Sequence, residues 1–273
     1  MNAESGEFFD KLKCKCITIG NAIRDHKNAL KKKEIAKIQI TREDFKELEK
    51  YYIELIAYLV RAREEVQIWE VDNTTEEYEK RMLREQDKRM KEMLERIFNS
   101  AQEFLNNFDS HFETPEMKAY LFKMKADFLC SKAKILGIQD NNNILALSKS
   151  YYKEATILLE NNPWVCPYKL DVYYNFIKLQ IFFEGNNLLI DDLSSKYELA
   201  ILYSDKIQKD WKYFSEVLRS IEYFIHKNDK ISVVSINELL EKGSRSTFLE
   251  ENFNANFVLI LNEEEYLKYQ YFF

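Results

Sequence analysis

The sequence predicts an all-α protein on three observations. Apolar residues recur at a spacing near 3.6 almost from end to end, the breaks between those stretches carry helix caps, and 273 residues include only 5 Gly and 3 Pro. So few turn-formers leave little for hairpins and sheets. With 46% hydrophobic and 14% aromatic residues, the chain has ample surface to bury in a core. Its length suits one large domain with an appendage: a helical body over 1–228 and a partly ordered C-terminal extension over 229–273.

The breaks predict nine helices. Ser5 caps a first helix presenting Phe8, Phe9, Leu12 and Cys16, and Gly20 marks the break before a second, which runs through Ile23 and Leu30 to a basic end at Lys31, Lys32 and Lys33. Thr41 with Asp44 forms a capping-box pattern opening a third helix over about 42–72, through Tyr52, Leu55, Leu59 and Trp69. Thr74 with Glu77 opens a fourth, to about 108. Its first half is densely charged, and its second carries the stripe Met90, Leu94, Ile97, Ala101, Leu105 and Phe108.

Thr114 followed by Pro115 is a cap with a first-turn proline, starting a fifth helix that ends near Gly137. The Asn141 to Asn143 run reads as a loop. Four more helices follow over about 145–161, 167–183 (stopping before Gly185), 190–208 and 210–227. Beyond them, Ser235 with Glu238 caps a small helix closed by Gly243, and an apolar run, FVLIL, covers 257–261. The last residues, YLKYQYFF, carry enough aromatic surface to pack on the body or on a partner.

Composition also excludes functions. A formal charge of −6 argues against a nucleic-acid binder that neutralises many phosphates. No apolar run is long enough to span a bilayer, and the start MNAESGEFFDKLKCKC lacks the apolar core of a secretion signal, so a cytoplasmic protein is expected. Cys14, Cys16, Cys130 and Cys166 are too scattered to staple the chain and are expected as free thiols; they lack the two close pairs of a tetrahedral zinc site.

Chemistry-bearing motifs are absent. His26, His111 and His226 stand far apart, and no H-E-x-x-H, G-x-S-x-G, phosphate loop or dinucleotide fingerprint occurs. Asp191 and Asp192 read as carboxylates at a helix N-terminus, where the dipole favours them, and the alternating charges of 76–96 read as a solvated helix face. Met82, Met90 and Met93 read as core or interface filling. The expectation is a non-enzymatic, protein-binding chain without metal or cofactor.

Three stretches carry a family resemblance. AYLFKMKADFL at 119–129 is similar to the Y-L-K-M-K-G-D-Y-Y-R-Y segment of the 14-3-3 adaptors. YYKEA at 151–155 and CPYKLDVYYNF at 166–176 resemble that family's A-Y-Q-E-A and H-P-I-R-L-G-L-A-L-N-F. ELIAY at 54–58, with Trp69 eleven residues on, is similar to its S-V-A-Y and tryptophan. The resemblance covers about 5–227. It implies a cup-shaped nine-helix protomer, a homodimer or a heterodimer with a related chain joined through the first four helices, and a groove for phosphoserine or phosphothreonine segments of client proteins.

The family's phosphate-gripping positions are largely replaced. Its groove lysine and arginine fall at Leu59 and Val66, its arginine–tyrosine pair at Cys130 and Ser131, and its ninth-helix asparagine at Ile221. Asn175, Lys123 and Asp127 match. Each lost charge-assisted bond removes about 1.5–3 kcal/mol. Helical spacing suggests a substitute: Arg63 shares a face with Leu59 and Val66, Lys178 stands three residues after Asn175, and Lys123 lies seven before Cys130. Arg63, Lys123 and Lys178, with Asn175 as backbone clamp, are therefore the expected ligand site for an acidic or phosphorylated segment. The alternatives are a helical scaffold for unphosphorylated peptides, and a groove filled by the extension, whose KGSRST at 242–247 sets hydroxyls beside Arg245.

Overall fold

The computed structural model describes residues 3–71, 76–108, 112, 114–136, 141–186, 188–207 and 210–228. Among these residues there are eight α-helices and no strand: α1 (Ala3–Ile35), α2 (Arg42–Val71), α3 (Glu77–Asn106), α4 (Pro115–Leu136), α5 (Asn141–Leu158), α6 (Pro167–Glu184), α7 (Leu189–Leu202) and α8 (Trp211–Asn228), with a 3₁₀ turn at Ser204–Lys206 after α7. They form two compact units. One takes α1 to α3 and α4 from Phe128 onward; the other takes α4 up to Asp127, α5 from Ala146 onward, and α6 to α8.

Two sequence expectations are corrected. Gly20 does not break the first helix: α1 runs unbroken from Ala3, past Ser5, to Ile35, so the predicted first and second helices are one. A mid-helix glycine costs about 1 kcal/mol against alanine, which the apolar contacts on either side offset. Ile19, Ile23 and Leu30 are buried in one continuous phase across it. The Asn141 to Asn143 run belongs to the start of α5, not to a loop. Asparagine competes with helical bonds in an interior but is compatible with a first turn, whose N–H groups are free.

Other boundaries follow the caps. The Thr41 amide donates to Asp44 Oδ2 at 3.0 Å and the Asp44 amide returns a bond to Thr41 Oγ1 at 3.4 Å, the reciprocal pair that opens α2. Met117 N–H donates to Thr114 Oγ1 at 3.3 Å ahead of α4. Gly185, at φ 68°, closes α6 in the left-handed conformation, its amide bonded to Ile181 O. Asp191 and Asp192 lie in the first turn of α7. Thr74, Gly137, His111 and the whole of 229–273, with its predicted small helix, lie outside the described residues.

The first unit is built on aromatic contacts. Phe45 meets Phe108 at 5.6 Å and Phe112 at 5.4 Å between ring centroids, Phe104 meets Phe108 at 4.9 Å, and Tyr52 meets Phe128 at 5.4 Å. Near the other end of α2, Trp69 packs edge-on against Phe8 and Phe9. The predicted α3 stripe faces inward, Ile97 being half-buried and the rest buried. Each fully buried ring or branched chain contributes about 1.5–3 kcal/mol.

Candidate ligand-binding site

The site begins with α4. Every residue from Ala119 to Leu129 is buried, a helix apolar nearly all round, yet three of those residues are charged: Lys123, Lys125 and Asp127. A charge taken out of water needs partners, or folding loses several kcal/mol per ion. Lys125 holds its ammonium beside the rings of Phe122 and Tyr151, 5.6 and 5.4 Å from their centroids, and those two rings stack on each other at 5.9 Å.

Lys123 takes carboxylates. Its Nζ donates to Asp127 Oδ2 at 2.8 Å, one turn along the same helix, and lies 3.3 Å from Asp171 Oδ2 on α6. Asp171 also accepts from the Tyr213 hydroxyl of α8 at 2.5 Å and from Asn175 Nδ2 at 2.8 Å; the same Nδ2 reaches the Asp171 carbonyl oxygen at 2.9 Å. Asp127 accepts from the Tyr152 hydroxyl of α5. Rings close around the network: Tyr120, Tyr168 and Tyr213 meet edge-on at 5.2 to 6.3 Å, and the Lys123 ammonium sits 5.7 Å from the Tyr120 centroid.

This arrangement follows from two i,i+4 pairs. K-x-x-x-D on α4 and D-x-x-x-N on α6 each put polar side chains on one face of a helix, and Asp171 joins them. With Lys123, Asp127 and Asp171 ionised, the network carries one cation and two anions. It is polar and negative rather than a ready phosphate cradle.

The four expected ligand residues divide. Lys123 and Asn175 meet at Asp171. Lys178, one turn beyond Asn175, holds its ammonium 5.2 Å from the Tyr174 ring centroid. Arg63 belongs to the other unit, where it pairs with Asp87 through Nε at 2.9 Å and Nη2 at 3.3 Å. At the positions where the resemblance expects a phosphate grip, Leu59, Val66, Ser131 and Ile221 are buried and Cys130 is half-buried.

Sequence reasoning missed Asp171, Tyr152 and Tyr213. The D-x-x-x-N spacing within 166–176 was the available signal for Asp171. Nothing local marks the tyrosines, which reach the network from other helices. His26 is a structural residue, its Nε2 2.7 Å from the Asp44 carbonyl oxygen. The four cysteines are free, and among the described residues no group of three histidine, cysteine or acidic side chains could hold a metal ion. No helix among them is long and apolar enough to cross a membrane.

Compared with known proteins, the chain matches no family model and no curated protein.

Proposed function

We propose that this protein is a non-enzymatic adaptor resembling 14-3-3, which binds segments of other proteins in the second unit with little dependence on phosphate. The observation that carries the reading is the convergence of Lys123 and Asn175 on Asp171. In this reading Asn175, held by its amide nitrogen, offers its carbonyl oxygen to a peptide backbone, and the tyrosines around it supply apolar contact. Lys123, already matched by two aspartates, has little attraction left for a phosphate. The buried state of Leu59, Val66 and Ile221 supports the same side of the question.

A second reading, in which the segment is phosphorylated or otherwise acidic, draws support from Lys178, half-buried one turn from Asn175. Under either reading the protein works in the cytoplasm, without a cofactor, as a homodimer or a heterodimer with a related chain.

The test is fluorescence polarisation with a labelled Arg-Ser-x-phosphoserine-x-Pro peptide and its unphosphorylated twin, on the full chain. The expected result is micromolar binding of both within about threefold, weakened for both by Asn175→Ala. A preference of about twentyfold or more for the phosphopeptide, lost in Lys178→Ala, would replace the first reading by the second. Binding of neither peptide would sink both.

A further inference from the structure

The link between α1 and α2 departs from what its local geometry favours. α1 ends in a paired cap, the Ile38 amide donating to Lys33 O at 2.8 Å and the Lys37 amide to Glu34 O at 3.0 Å. Such a cap turns on a left-handed residue, a place that glycine or asparagine takes most readily, and here it is Lys37 at φ 53°. The residue after it usually folds an apolar side chain back onto the helix, against the position that Lys33 holds. Lys33 instead bonds Asp44 Oδ1 at 2.6 Å, and Ile38 is left 56% exposed. Ile35, the last residue of α1, is 82% exposed.

The same stretch is basic. Residues 31–40 hold four lysines and one acid, Glu34. Lys31, Lys32 and Lys37 are exposed and make no ion pair among the described residues. The first turn of α2 adds two acids that are already matched, Glu43 by Arg42 and Asp44 by Lys33. Lysines in a last turn complement the helix dipole, but that accounts neither for Lys37, which lies beyond the helix, nor for two isoleucines in water beside it. A glycine at 37 and polar residues at 35 and 38 would serve the cap better.

We propose that this corner is a membrane-surface contact, in which Ile35 and Ile38 enter the boundary between headgroups and acyl chains of an anionic bilayer while Lys31, Lys32 and Lys37 face the headgroup charges. Lysine suits the role, because its methylene stem lies along the apolar layer while its ammonium stays among the headgroups, where the negative lipid surface attracts it. A bilayer fits better than a protein partner. A stable protein interface buries about 800 Å² on each side, more than two isoleucines supply, whereas a bilayer takes up side chains singly. The contact is peripheral, since no helix among the described residues is long and apolar enough to cross a membrane. It uses none of the residues of the Asn175 reading.

The experiment floats the full chain with vesicles of phosphatidylserine and phosphatidylcholine in equal parts, and with vesicles of phosphatidylcholine alone. The chain should bind the anionic vesicles, more weakly as salt rises, and not the neutral ones. Ile35→Ser with Ile38→Ser should weaken binding at least about tenfold with Tm unchanged, since both side chains already stand in water. Lys37→Gly separates recognition from fold: binding should fall about fivefold while Tm rises, because one cation is lost and glycine relieves the left-handed strain. Lys31→Gln should also weaken binding about fivefold. No binding to the anionic vesicles, equal binding to the neutral ones, or parental affinity in the double isoleucine variant would each overturn the proposal. So would a double variant that lowers the sedimentation coefficient without lipid, because the isoleucines would then be a contact between copies of the chain.

Discussion

In the first unit, several ion pairs lie at or near the surface, among them Lys11 with Glu7 at 2.6 Å, Arg84 with Glu70 at 2.7 Å and Arg89 with Glu85 at 3.3 Å. In the second, Lys123, Asp127 and Asp171 make theirs inside the packed helices. The same residue types thus do opposite things. On solvated helices a pair gains little, because water and salt screen it and two long side chains must be ordered. Inside, each member depends on the others, because an unmatched charge there has no water to fall back on.

Several substitutions would break or sharpen that contrast. The largest effect is expected from Asp171→Leu, which leaves Lys123, Asn175 and Tyr213 each short of a partner; urea unfolding followed by circular dichroism should record a loss of about 3–5 kcal/mol. Asp171→Asn, which keeps an acceptor for Tyr213, should lose less, and equal losses would mean that the lost charge rather than the lost acceptor governs the site. Leu94→Ala, in the apolar core of the first unit, should cost about 2–5 kcal/mol by transfer and cavity alone. A loss well below about 2 kcal/mol in the same unfolding experiment would mean that the apolar core around Leu94 closes over the gap.

A smaller effect concerns pH. Burial would raise the Asp44 pKa, but the Lys33 ammonium at 2.6 Å and the bonds from Thr41 override it and hold the carboxyl below its ordinary value. A carboxyl depressed in the folded state stabilises fully above its unfolded pKa, and that contribution is lost as pH falls through the folded one. Thermal melts between neutral pH and pH 3 should therefore show Asp44→Asn losing less stability on acidification than the parent. The smallest effect belongs to Arg84→Ala, for which the unfolding midpoint should not move measurably; a clear drop would mean that the charged half of α3 is held more firmly than its exposure suggests.

What was legible in the sequence was what neighbouring residues decide. The Thr41/Asp44 box, the Thr114–Pro115 start and the Gly185 stop all act within one turn, and each stands where it was expected. Gly20 and the Asn141 to Asn143 run misled because propensity is weak against the packing of long-range apolar contacts. Lys123 and Asn175 came from the resemblance. Asp171 could have come from its spacing to Asn175, but Tyr213 is 42 residues from Asp171 and Tyr152 is 25 from Asp127. The fate of Lys125 was equally hidden: in K-M-K it looks like its neighbour, and only the surrounding helices decide that one lysine meets carboxylates and the other meets rings.

The position of Lys125 has a use beyond the folded state. An amine walled by Phe122 and Tyr151 is out of reach of acylating reagents while α4 stays in place. Its acetylation, followed by mass spectrometry against that of an exposed lysine such as Lys11, then becomes a clock that runs only during the moments when this segment lets go.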